Sequence, residues 1–109
     1  GFFFTHGQYT TATAAHKEMD MARTSGMSGH THRMQSAYHT DRFGTPRAWY
    51  SNGCLCHIKG PNKPPGSSKA SVYDWQQGFS RVYFDGKQWS VFQMCIVDGG
   101  FIAPNGRKY

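Results

Sequence analysis

The chain has 109 residues, with twelve lysines and arginines against six aspartates and glutamates, for a formal net charge of +6. That length suits one hydrophobic core and leaves little room for two. Leucine occurs once, at Leu55, against eight Phe, six Tyr and three Trp, which excludes a leucine-rich bundle or coiled coil and points to strands and aromatic packing.

Taken in order, Phe2, Phe3 and Phe4 with Thr5 read as a short buried strand, ended by Gly7. An opening of this kind sets the expectation of a processed, split or truncated protein. Next, Ala12, Ala15, Met19 and Ala22 recur at helical spacing. Thr10 or Thr11 serves as N-cap and Gly26 as the stop, which predicts a helix of roughly thirteen residues. The stretch MSGHTHRM, residues 27–34, is too rich in glycine to continue it. MQSAYHT, residues 34–40, and RAWYSNGCLCHI, residues 47–58, supply further strand material, the second broken by a turn at Ser51–Gly53. Residues 59–71, KGPNKPPGSSKAS, are predicted as a mobile loop. Asp85–Gly86 between two aromatic and β-branched runs predicts a hairpin, and turns are expected at Gly99–Gly100 and Asn105–Gly106. The order of elements is that of a mixed α/β (α+β) fold, with one main helix and several mostly antiparallel strands.

The basic residues are spread along the chain, so a solvated surface is the first reading of the charge, with nucleic acid as an open partner class. No apolar run reaches the roughly 20 residues of a membrane span, and the opening segment lacks the basic flank of a signal peptide. Cys54, Cys56 and Cys95 are an odd number, which fits a reducing compartment better than a disulfide framework. In a strand, Cys54 and Cys56 would share one face. A zinc site with neighbouring His57 lacks a second ligand pair at the usual spacing, so structural thiols are the expectation.

Six histidines stand at positions 6, 16, 30, 32, 39 and 57. His16 on the helix and His39 on a polar strand are expected to be ordinary surface residues. His6 follows the first strand, whereas His30 and His32 follow the next, with the helix between. Such a strand–helix–strand unit is right-handed and parallel, and it brings all three histidines to the carboxyl edge of the sheet. That edge is where open α/β sheets build their sites. Gly7 and Gly29 beside these histidines are expected to let the backbone turn and aim the imidazoles at one point.

In this setting FFFTHGQ, the helix and SGMSGHTHRM resemble the last two metal-binding motifs of the calcineurin-like metallophosphoesterases. YHTDRFGTPRAWYSNGCLC and DWQQGFSRVYFDG resemble the C-terminal part of phage-type members. The resemblance implies that residues 1–109 form a single partial domain, the C-terminal half of a four-layer α/β/β/α sandwich. It implies a centre of two divalent metal ions, in which His6 and His30 ligate one ion and His32 the other. A metal-bridging hydroxide would then hydrolyse a phosphomono- or diester. Neutral imidazole suits manganese, iron, zinc or nickel alike. Arg33, beside the motif, would contact the substrate phosphate or form a surface salt bridge.

The chain departs from the family pattern where carboxylates are needed. No D-x-H, G-D or G-N-H string occurs, and Asp20, Asp41, Asp74, Asp85, Asp98 and Glu18 lie in other contexts. Three neutral imidazoles do not offset the charge of two divalent ions. The expected partner is therefore an N-terminal half chain that supplies the missing ligands, with a phosphoester substrate, nucleic acid included, and no membrane. A cytoplasmic setting, the host cell's if the chain is viral, or a virion is implied. The alternative is a non-catalytic binding or structural subunit of a larger assembly derived from that fold. A mononuclear site of His6, His30, His32 and water is a further option.

Overall fold

The computed structural model describes residues 1–59 and 74–109, so the loop expected at 59–71 lies outside the described residues apart from Lys59. The elements in order are β1 (Phe2–Thr5), α1 (Ala14–Ala22), β2 (Ser25–Ser28), β3 (Gln35–Thr40), β4 (Pro46–Ser51), β5 (Gly78–Phe84) and β6 (Trp89–Cys95). Four strands form one sheet in the order β1-β2-β4-β3, and β5 and β6 form a separate antiparallel pair. β1 and β2 are parallel, with Phe3 opposite Gly26, so the expected strand–helix–strand unit is present. β2 and β4 are also parallel, and β3 returns antiparallel to β4.

Alternation along β4 explains the layering, because successive strand side chains point to opposite faces. Trp49 faces α1 and packs with Ala15, Met19 and Ala37. Ala48 and Tyr50 face the other way and pack with Met27 beneath Phe2, Val82, Trp89 and Val91. The result is three layers, helix on sheet on two-stranded sheet, a mixed α+β arrangement. Aromatic edges stitch the second interface: the Phe2 and Trp89 ring centroids are 4.9 Å apart, and those of Tyr50 and Trp89 are 6.2 Å apart. Among the described residues, no helix is long and apolar enough to cross a membrane.

Several local expectations are corrected. β1 is a strand, but Phe3 and Phe4 are 51% and 57% exposed, because β1 has a neighbour on one side only among the described residues. The helix is nine residues long and is preceded by Thr13, whose side chain makes no capping bond. It starts late because tertiary bonds hold the residues before it: Arg33 donates to the carbonyls of Thr10 and Thr11, and the Gln35 amide to that of Ala12. Arg23, not Gly26, ends it, taking the left-handed conformation at φ 54° and donating its N–H to the Met19 carbonyl at 2.9 Å. Gly26 sits inside β2. A Cβ there would meet the Trp49 ring at 2.6 and 2.8 Å and the Phe3 carbonyl oxygen closer still. Glycine is needed because the indole fills that space.

The Asp85–Gly86 hairpin is present with a four-residue loop, since Phe84 pairs with Trp89. Asp85 accepts N–H bonds from Lys87 and Gln88 at 3.1 and 2.8 Å, and Gly86 takes φ 90°. The next turn is centred one residue earlier than expected, on Asp98 and Gly99 at φ 50° and 78°, between the mutually bonded Val97 and Gly100. The Asn105–Gly106 turn forms with φ 82° at Gly106.

Candidate metal centre

His6 lies one residue past β1, and His30 and His32 lie just past β2, so parallel pairing brings all three to one edge. The Gly29 N–H donates to the His6 carbonyl at 3.0 Å, extending the β1–β2 contact to the histidines themselves. His6 Nε2 and His30 Nδ1 are 3.0 Å apart, and both rings are exposed. Two imidazole nitrogens on one tetrahedral zinc are separated by about 3.3 Å, given bonds of about 2.0–2.1 Å. The pair therefore fits a shared cation with an adjustment of a few tenths of an ångström, and also fits a plain N–H···N hydrogen bond.

The backbone aims these rings differently from the expectation. Gly7 takes φ 96°, but Gly29 is not left-handed; His30 and His32 are, at φ 70° and 58°. Non-glycine residues seldom adopt that conformation, and surrounding bonds must hold them there. Here Thr31, buried between them, donates its N–H to the Gly29 carbonyl at 2.8 Å, and its hydroxyl lies 3.2 Å from that of fully buried Ser51.

His32 is half-buried, with its ring edge-on to Trp75 at a centroid distance of 4.3 Å. Its Nδ1 is buried and has no hydrogen-bond partner among the described residues. Burial first, and then the nearby His30 and His6, hold its pKa below the ordinary histidine value. The ring thus favours the neutral, ligand-competent form. Arg33 pairs with Asp74 at 3.2 Å and ties down Thr10 and Thr11, so its guanidinium is engaged by protein groups.

The cysteines depart most from expectation. Cys54 and Cys56 are not on a regular strand; Cys54 forms an isolated bridge to Gln77. The residue that joins them is His32 rather than His57, which lines a separate cleft with Ile58 and Val97. One ligand atom from each of His32, Cys54 and Cys56 lies within 4.8 Å of the other two, and among the described residues this is the one group of three or more His, Cys, Asp or Glu so disposed. The segment after Trp75 makes the junction. The Gln76 N–H donates to the His32 carbonyl at 2.9 Å, and the Gln76 carbonyl accepts from the Cys54 N–H at 2.9 Å. The Gln76 side chain accepts from the Met34 N–H at 2.9 Å, and the Gln77 side chain donates to the Cys56 carbonyl at 2.9 Å. Burial, helped by the hydrogen bond and charge of Cys56, pushes the Cys54 thiol up to about 11.

Glu18 is the other residue whose role was not foreseen. It is 6% exposed, and its Oε1 accepts the N–H groups of Gln8 and Tyr9, the latter at 3.0 Å. The one glutamate of the chain therefore clamps the turn after His6 onto α1, beside a cleft of about 320 Å³ lined by Phe3, His6, Met21 and Trp49. Its place on the helix was visible in the sequence, but nothing local marked its partner. Comparisons with protein-family models, with curated proteins and with solved structures return no match.

Proposed function

We propose that this chain supplies the histidine edge of a binuclear metal-dependent phosphoesterase. His6 and His30 would hold one divalent ion and His32 the other, and a complementary N-terminal half would complete the site. The observation that carries this reading is the 3.0 Å approach of His6 Nε2 to His30 Nδ1 at the carboxyl edge of a parallel strand–helix–strand unit. The donor set fits borderline cations, so manganese, iron, zinc and nickel are all candidates. When bound, the ions would activate water and neutralise charge on the phosphoryl oxygens of a phosphomono- or diester. The chain's own contribution is positional: Glu18 clamps the His6 turn, Thr31 and Ser51 fix the His30–His32 loop, and Arg33 braces the residues before α1.

The missing carboxylates need a place to enter, and β1 offers one. Its outer edge is unpaired among the described residues, and exposed Phe3 and Phe4 flank it, a combination suited to strand addition by a complementary chain. The same edge favours the second reading, a binding or structural subunit that docks by strand pairing without catalysis.

The test mixes the chain with a separately expressed N-terminal polypeptide carrying D-x-H, G-D and G-N-H motifs, in Mn²⁺, and follows hydrolysis of bis-p-nitrophenyl phosphate. The expected result is cleavage by the mixture, none by either part, and loss in His30→Ala. A mixture that associates yet cleaves no faster than its His30→Ala counterpart would sink the catalytic reading and leave the docking one.

A further inference from the structure

We propose that His32, Cys54 and Cys56 form a binding site for a soft divalent cation, zinc being the best match, with solvent or substrate in the fourth position. The site goes beyond the phosphoesterase reading: it shares His32 with that reading but draws on two thiols that the reading does not use. A cation held here would engage His32 in place of the second ion, and the site stands if that reading falls.

Donor chemistry makes the first argument. Two cysteine sulfurs and one imidazole nitrogen are a ligand set that tetrahedral zinc accepts, and catalytic sites with two cysteines and a histidine leave one position open. The three ligand atoms already lie within 4.8 Å of one another. Sulfurs on one zinc are separated by about 3.8 Å, given Zn–S bonds of about 2.3 Å. Small side-chain rotations suffice to close the site.

Burial makes the second. His32 Nδ1 is enclosed without a hydrogen-bond partner among the described residues, and a buried imidazole nitrogen left alone is costly. Cys54 is buried, and its sulfur meets the Cys56 thiol and, at 3.7 Å, the Gln76 carbonyl, both weak partners. A cation bound among these groups would satisfy donors that the fold otherwise leaves poorly served.

Support from the backbone makes the third. The ligands come from two segments distant in sequence, and the Gln76–Gly78 segment bonds to both. Gln76 N–H reaches the His32 carbonyl, and Cys54 exchanges bonds with the Gln76 carbonyl and the Gly78 N–H at 2.9 and 3.0 Å. Gly53 has no room for a side chain, because the Gln76 carbonyl oxygen occupies the place a Cβ would take and the Gly78 nitrogen lies 3.0 Å from it. The close passage that brings Cys54 beside His32 thus depends on a glycine. Ligands held by neighbouring hydrogen bonds in this way are pre-oriented, as metal sites require.

Charge is the fourth consideration. Two thiolates balance a divalent cation within this chain alone, which the three histidines at the sheet edge cannot do. Nothing from another polypeptide is required.

The experiment is a cobalt titration of the full chain after chelation and reduction, read by optical absorption. The expected result is a thiolate-to-cobalt charge-transfer band with the visible bands of tetrahedral cobalt, saturating at one equivalent and displaced by zinc. Cys54→Ser and Cys56→Ser should each diminish the charge-transfer band, and the double variant should abolish it. His32→Ala should weaken zinc binding by more than about tenfold, the lower end of what even outer partners of a metal ligand contribute. His57→Ala, His6→Ala and His30→Ala should leave the thiolate band intact. Because Cys54 is buried, circular dichroism of each variant establishes folding, and partly exposed Cys56 gives a variant less prone to collapse. Absence of the band in the folded wild type, or its survival in the folded Cys56→Ser and Cys54→Ser pair, overturns the site. So does its loss in His57→Ala with retention in His32→Ala. A present band with no hydrolysis in the completed mixture described above would retain this site and discard the phosphoesterase.

Discussion

Replacing Gly26 by alanine sets local preference directly against packing. In a strand interior alanine is favoured over glycine by about 0.5–1 kcal/mol, so propensity alone predicts stabilisation. At this position, however, the new Cβ would lie 2.6 and 2.8 Å from two Trp49 ring carbons and closer still to the Phe3 carbonyl oxygen. Neither neighbour can yield easily. The carbonyl belongs to the backbone of the paired strand, and the indole is fully buried with its Nε1–H donating to Ser28 Oγ at 2.9 Å. Relief therefore needs movement of about an ångström in a close-packed layer, at or above the upper end of the about 1–3 kcal/mol typical of overpacking. Subtracting the backbone gain leaves a net loss of roughly 2–3 kcal/mol. Gly44→Ala is the comparison: open space surrounds it, but φ is +81°, so strain alone should cost about 1–2 kcal/mol. Urea unfolding followed by tryptophan fluorescence measures both. A Gly26→Ala midpoint equal to the wild type, or no lower than that of Gly44→Ala, would refute the reasoning.

Ser28→Ala leaves the buried Trp49 indole N–H without its acceptor and should cost about 1–3 kcal/mol by the same unfolding assay. Adding Trp49→Phe to that background should cost less than Trp49→Phe alone, and strict additivity of the two would show that the bond carries no coupling. Glu18→Ala removes the acceptor for Gln8 and Tyr9 and should cost a comparable about 1–3 kcal/mol. Hydrogen exchange should accelerate at the Gln8 and Tyr9 amides while β4 amides stay protected; unchanged exchange at both would discard the clamp. Asp41 is held below the ordinary aspartate range, chiefly by the Thr45 N–H, with Phe43, Arg47 and His39 assisting. Its folded value is below its unfolded value, so its contribution is present above about pH 3.9 and lost as pH falls through the folded value. A carbon-detected NMR titration should place the Asp41 carboxyl below about 3.9, and a midpoint at or above it would contradict the turn geometry.

Short-range patterns carried much of the architecture. Phenylalanines followed by helical periodicity and a second strand led to a parallel unit, because a crossover of that length has few other ways to return to a sheet. That unit brought His6 and His30 within 3.0 Å, as their positions after successive strands implied. The hairpin at Asp85–Gly86 was legible for a similar reason: the turn's chemistry resides in the residues that make it.

What the pattern misjudged or left open was decided by neighbours distant in the chain. Gly26 looked like a helix stop because glycine usually marks one, yet here it makes room for an indole contributed by β4. Arg33 was open to a phosphate contact or a surface salt bridge, and in the fold it pairs with Asp74 and bonds to the turn before α1. Cys54 and Cys56 were expected to be structural thiols because no second ligand pair stands nearby in the sequence, whereas the bonds of Gln76 bring His32 beside them. By itself the sequence determined which elements form and that histidines gather at one sheet edge, since these follow from spacing along a single segment. Only the tertiary structure decided which histidine meets the thiols, because that proximity is created by backbone bonds between segments whose separation in sequence carries no periodic signal.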